Sequence, residues 1–122
     1  MAKLILLFIF LIPTSLLAKE SFVICPILYL SSVKKLVEAN GQYDKFKHCS
    51  VSCILTLKCP AVDVLEIGII KELVDVIGPG NAELADLKAD YQGVKLATSN
   101  KSTTDHSCMN SCHKIYPEVA CP

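Results

Sequence analysis

Four side chains within one short segment could do chemistry together. His48 and Ser52 are four residues apart, and two cysteines, Cys49 and Cys53, interleave with them. On a helix, positions four apart share a face, so His48 and Ser52 project together while the cysteine pair projects beside them. Further along, Glu72 and Asp75 occupy one segment, and Glu83, Asp86 and Asp90 line another. A histidine with carboxylates can act as a general base with an orienting partner, or supply nitrogen and oxygen ligands to a metal ion. We take His48, Glu72, Asp86 and Asp90 as the candidate catalytic set, with Asp75 brought near Asp86 if the Gly78-Pro79-Gly80 turn folds two helices together. Each feature also has a structural explanation. His48 can be a hydrogen-bonded packing residue, Ser52 can bond to backbone, the acidic row can be a solvated face, and Lys71 can pair with Asp75 at the surface. No phosphate-binding glycine loop, Gly-x-Ser-x-Gly turn or His-Glu-x-x-His helix occurs, so the familiar enzyme classes lack support and no cofactor or metal is assigned.

The chain that must position these residues has 122 residues and zero formal net charge, with 52% hydrophobic residues and seven cysteines. Much of the apolar excess lies at the start. Lys3 precedes an apolar run over 4–12, then Pro13, and Ala18 stands before Lys19-Glu20. This pattern predicts a secretory signal peptide over residues 1–18, leaving residues 19–122 as one domain with no stable membrane anchor and a secreted or periplasmic location. The mature segment has no arginine and no basic run beyond Lys34-Lys35, which argues against nucleic-acid binding.

All seven cysteines follow the expected cleavage point, in a chain sent to an oxidising compartment, so disulfides are expected. Cys49/Cys53 and Cys108/Cys112 share a four-residue spacing. Two antiparallel helices could therefore be zipped by Cys49 to Cys112 and Cys53 to Cys108. The rival is a zinc site with His48, His106 and His113 beside those cysteines. The odd count leaves one thiol free or available for a disulfide-linked dimer.

Apolar periodicity predicts an all-α bundle of four to five helices stapled by two or three disulfides. The first helix is capped by Ser31 or Ser32, carries Val33, Leu36 and Val37, and stops at Asn40-Gly41. The second covers about 43–57. The third starts near Pro60, is expected to be buried, and presents Val62, Leu65, Ile69, Leu73 and Val76 as its apolar stripe. The fourth begins at Asn81 and ends at Gly93, with 96–101 as loop. A last helix, capped by Thr103, Thr104 or Asp105, runs through both late cysteines to Pro117.

The string Asp44-Lys45-Phe46-Lys47-His48-Cys49-Ser50-Val51-Ser52-Cys53, followed by Lys71-Glu72-Leu73-Val74-Asp75, Gly78-Pro79-Gly80, Asp86, Ala89-Asp90 and Gly93, resembles a small cysteine-containing helical domain at the C-terminal tips of bacterial RHS-type polymorphic toxin proteins. The resemblance covers roughly 44–93 and implies a bacterial origin and an effector role. Two functions are therefore expected. One is an exported effector-like protein with a hydrolytic site built on His48. The other is a non-catalytic binding module that recognises an envelope or host protein through an exposed helix face. An extracytoplasmic metal-binding protein is a third reading.

Overall fold

The structure, a computed structural model, describes residues 24–78 and 83–117. The expected signal peptide, the Asn81 cap and Cys121 lie outside these residues. The described residues form five helices and no strands: α1 (Ile24–Glu38), α2 (Asp44–Lys58), α3 (Ala61–Ile77), α4 (Leu84–Thr98) and α5 (Asp105–Ile115). None is long and apolar enough to cross a membrane. The domain is thus an all-α bundle stapled by disulfides.

At the centre lies α2. Its first turn carries Asp44 and its last Lys58, each at the end where it complements the helix dipole. Its buried face presents Phe46, Cys49, Ser50, Cys53 and Ile54. Cys49 bonds to Cys112 and Cys53 to Cys108, so α5 lies antiparallel along α2 as the four-residue spacing predicts. Of the three cap candidates for α5, Thr104 serves: it accepts from the Ser107 amide, while the Ser107 side chain accepts from the Thr104 amide. His113 stacks on Phe46 with ring centroids 3.9 Å apart. Its Nε2 donates to the Asn40 carbonyl at 3.3 Å, tying α5 to the end of α1.

A third bridge, Cys25 to Cys59, joins the start of α1 to the end of α2. It also accounts for a correction. The described part of the first helix already includes Ile24, well before Ser31, and the disulfide at Cys25 anchors this segment to the end of α2. Ser32 does not cap; its hydroxyl donates back to the Tyr29 carbonyl at 3.0 Å. Three intramolecular disulfides in so small a core place the fold in an oxidising environment.

Alongside α2 also packs α4, and here Gly93 decides the approach. The fourth helix does not end at Gly93 as expected but runs through it to Thr98. Gly93 has no positive φ. A Cβ at Gly93 would strike the Cys49 carbonyl oxygen and lie 2.8 Å from the Cys53 nitrogen, so the two backbones touch where the side chain is missing. The stop signal is Asn100 instead, whose φ of 58° is the left-handed turn that asparagine tolerates. Lys101 N–H then reaches Leu96 O at 3.1 Å and Asn100 N–H reaches Ala97 O, closing the helix in a Schellman motif.

The third helix spans its expected range but is rolled. Its inward side carries Asp63, Val64 and Glu72. Four of the five residues expected to line the core are turned outward: Val62, Ile69, Leu73 and Val76 are 59%, 48%, 56% and 70% exposed. Only Leu65 of that stripe packs on the core. The roll has a physical cause on the inner side. Glu72 accepts the Glu83 amide at 3.0 Å, and Gly68 faces the Asp90 carboxylate so closely that a Cβ would come within 2.7 Å of its Oδ2.

Gly93→Ala tests the central approach. The added methyl meets backbone on α2, which cannot rotate away, so α2 and α4 must separate. The variant should lose at least about 2 kcal/mol, measured as a shift in the urea midpoint with disulfides intact.

Candidate functional site

Because α2 and α4 touch at Gly93, residues one and two turns earlier on α4 come level with the first turns of α2. Asp90 and Asp86 thus face His48 and Lys45. His48 Nδ1 lies 2.9 Å from Asp90 Oδ1. A carboxylate only accepts, so Nδ1 carries the hydrogen. The Ser52 hydroxyl donates to the same Oδ1 at 3.0 Å. On the other side of the ring, Nε2 lies 3.6 Å from Asp86 Oδ2 and 4.0 Å from Asp44 Oδ1. The side chains of Asp86 and Asp90 are nearly fully buried, whereas Asp44 is exposed.

Buried carboxylates need counter-charge, and Lys45 supplies it. Its ammonium donates to Asp86 Oδ1 and Glu83 Oε2, and to Asp44 Oδ2 at 3.4 Å. Burial disfavours the charge on Lys45, but these carboxylates outweigh it and hold its pKa above the usual lysine value. His48 behaves likewise. Burial favours its neutral form, yet the hydrogen bond and charge of Asp90, with the charges of Asp86 and Asp44, raise its pKa above the ordinary 6.5. For Asp44, burial pushes up, and His48 and Lys45 together pull its pKa below the ordinary value.

The structure therefore brings three of the four candidate residues together: His48, Asp86 and Asp90. Glu72 is engaged elsewhere, accepting from the Glu83 amide and from Lys71 at 3.2 Å. Asp75 accepts from Lys71 at 2.9 Å, the surface pair foreseen from spacing. Of the acidic row, Asp86 and Asp90 are buried rather than solvated, while Glu83 is exposed. Ser52 bonds to a carboxylate rather than to backbone. His106 is exposed, and the cysteines beside His106 and His113 are disulfide-bonded, so the zinc-thiolate alternative is excluded there. Sequence reasoning missed Lys45 and Asp44. Their signal was present, because Asp44 and His48 are four apart and Lys45 lies between them on the same turns of α2.

His48, Ser52 and Asp90 also form one end of a cavity of about 380 Å³ between α1, α2 and α3. Its remaining wall is largely apolar, including Leu30, Val37, Leu55 and Val64. The site can hold a proton or a cation at Nε2. The Ser52 hydroxyl is committed to Asp90 and not to the imidazole, so it is not aligned as a nucleophile.

The charge arrangement makes a pH prediction. A histidine whose folded pKa exceeds its unfolded value stabilises the fold fully below about pH 6.5 and loses that contribution as pH rises through the folded pKa. With a chelator present, NMR titration of the His48 ring should give a pKa above 6.5, and the melting temperature should fall as pH rises across that interval. In His48→Gln this pH-dependent limb should disappear. A His48 pKa at or below 6.5 would contradict the charge pairing described.

No family model, no curated protein and no solved structure matches the chain, so its function must be argued from this geometry.

Proposed function

We propose that the chain is an exported, non-catalytic binding module, made rigid by its disulfides, that recognises another envelope or host protein through the outward face of α3. One observation carries this reading: a helix with an apolar stripe directs that stripe to solvent. Besides Val62, Ile69, Leu73 and Val76, the adjoining Ile70, Val74 and Ile77 are exposed. Isolated exposed apolar residues need no explanation, but a contiguous helical face of them marks an interaction surface.

The chemistry of the partner follows from the charges around that face. The helix carries Asp63, Glu66, Glu72 and Asp75 against a single Lys71, which itself pairs with Asp75. Such an acidic helix is repelled by anionic lipid headgroups, and nothing on it would anchor to them. A protein offering an apolar groove or a second helix matches it, in the manner of helix-in-groove recognition. An effector context for that encounter, the expectation raised by residues 44–93, is part of this proposal.

The hydrolytic reading draws less from the geometry. The His48 ring has carboxylates near both nitrogens, Glu72 serves α3 and α4, and among the described residues no hydroxyl is aligned on the imidazole. A group held this way suits a buried charge network better than general-base catalysis.

A photo-crosslinking residue placed at Leu73, and as a control at exposed Lys88, tests the binding reading in the native cells. The expected result is one adduct at position 73, identified by mass spectrometry as the same protein in every replicate, absent at position 88 and lost when Ile69→Glu is added. Ile69→Glu itself should change stability by no more than about 0.5 kcal/mol, because it is a surface change. An adduct only between copies of this chain, or none, would overturn the proposal. Growth inhibition of bacteria abolished by His48→Ala in a folded protein would favour hydrolysis instead.

A further inference from the structure

We infer that His48, Asp86 and Asp44 form a binding site for one divalent first-row transition-metal ion, with Nε2 as the coordinating nitrogen. The three side chains can each offer a ligand atom, and those atoms lie within 4.8 Å of one another. The imidazole is already oriented for this role. Its Nδ1–H is held by Asp90, which is fixed in turn by Ser52, and this carboxylate–histidine pairing is the usual outer support of a metal-bound histidine. Nε2 is left directed at Asp86 Oδ2 and Asp44 Oδ1, at 3.6 and 4.0 Å, beyond hydrogen-bonding reach. An ion with bonds of about 2.1 Å holds neighbouring ligand atoms roughly 3.0–3.4 Å apart, so side-chain movements of roughly 0.5–1.5 Å close the site. Asp44, exposed at the start of α2, is free to supply its share.

Lys45 complements this arrangement. It takes Asp44 Oδ2 and Asp86 Oδ1, so each carboxylate turns its other oxygen towards His48. Charge points the same way. Four carboxylates, Asp44, Glu83, Asp86 and Asp90, converge on this corner, and one ammonium offsets only part of them. A donor set of one imidazole and two carboxylates suits Zn²⁺, Mn²⁺ or Co²⁺; Ca²⁺ prefers an all-oxygen shell. The remaining coordination positions would be filled by water or by a donor from a bound molecule. This site lies away from the outward face of α3 and is independent of the binding function proposed above.

The test uses the mature chain with its disulfides intact, carrying Cys121→Ser so that no further thiol competes, and stripped with a chelator. Calorimetric titration with Zn²⁺ should give one ion per chain. Asp44→Ala and His48→Ala should each weaken binding tenfold or more, with circular dichroism showing an unchanged fold, whereas His106→Ala should leave the affinity unchanged. Co²⁺ should show a visible ligand-field band that Asp44→Ala alters. Asp44 is exposed, so this variant decides the matter even if His48→Ala is destabilised. Absence of binding, or Zn²⁺ affinity indifferent to both Asp44→Ala and His48→Ala, would overturn the inference.

Discussion

The backbone contact between α2 and α4 at Gly93 is the constraint on which the rest of the structure depends. With no side chain there, the α4 backbone reaches the Cys49 carbonyl and the Cys53 amide. That distance sets two things at once. It brings Asp90 and Asp86 within reach of His48 and Lys45, and it seats the α4 backbone against the two residues whose disulfides hold α5. One helix thus carries the crosslinks and the polar cluster on adjoining faces, and the same two cysteines that border the glycine contact also anchor the crosslinks.

The polar cluster is stable only as a whole. Asp86 and Asp90 are buried, and a buried carboxylate deprived of its partner carries a heavy desolvation cost. Lys45 and His48 provide those partners from α2, while Ser52 completes the shell of Asp90. The cluster accordingly fixes the register of α4 on α2 as well as offering a place for a cation. Its connection to α3 is indirect but decisive. Gly68 makes room for the Asp90 carboxylate and Glu72 receives the start of α4, so the inward side of α3 is committed to polar contacts and its apolar side is left facing solvent.

Helix count, most helix positions and the Cys49–Cys112 and Cys53–Cys108 pairing were legible because they rest on local rules: apolar periodicity, capping residues and the four-residue spacing of two cysteine pairs. So was the clustering of His48 with carboxylates, since the acidic row recurs at helical spacing and the α4 that carries it packs alongside α2, parallel to it. Gly93 was misread for a reason of the same kind. A glycine after an apolar helical run ordinarily marks a C-terminus, and only the neighbouring helix shows that this one serves packing. The Ser31 and Ser32 start failed similarly, because the helix already includes Cys25 and Pro26, where a disulfide to Cys59 ties it to the end of α2.

What the sequence alone determined, then, is an all-α, disulfide-linked chain with a histidine and several acids at helical spacing, since these follow from interactions within a few residues. Only the tertiary structure decided which acids meet His48, that Lys45 and Asp44 join them, that Glu72 does not, and that α3 turns its apolar stripe outward. Those outcomes depend on which helix face wins a contact when several compete. That choice is made by a missing Cβ at Gly93, a missing Cβ at Gly68 and the need of buried carboxylates for counter-charge, all of which act between residues far apart in the chain.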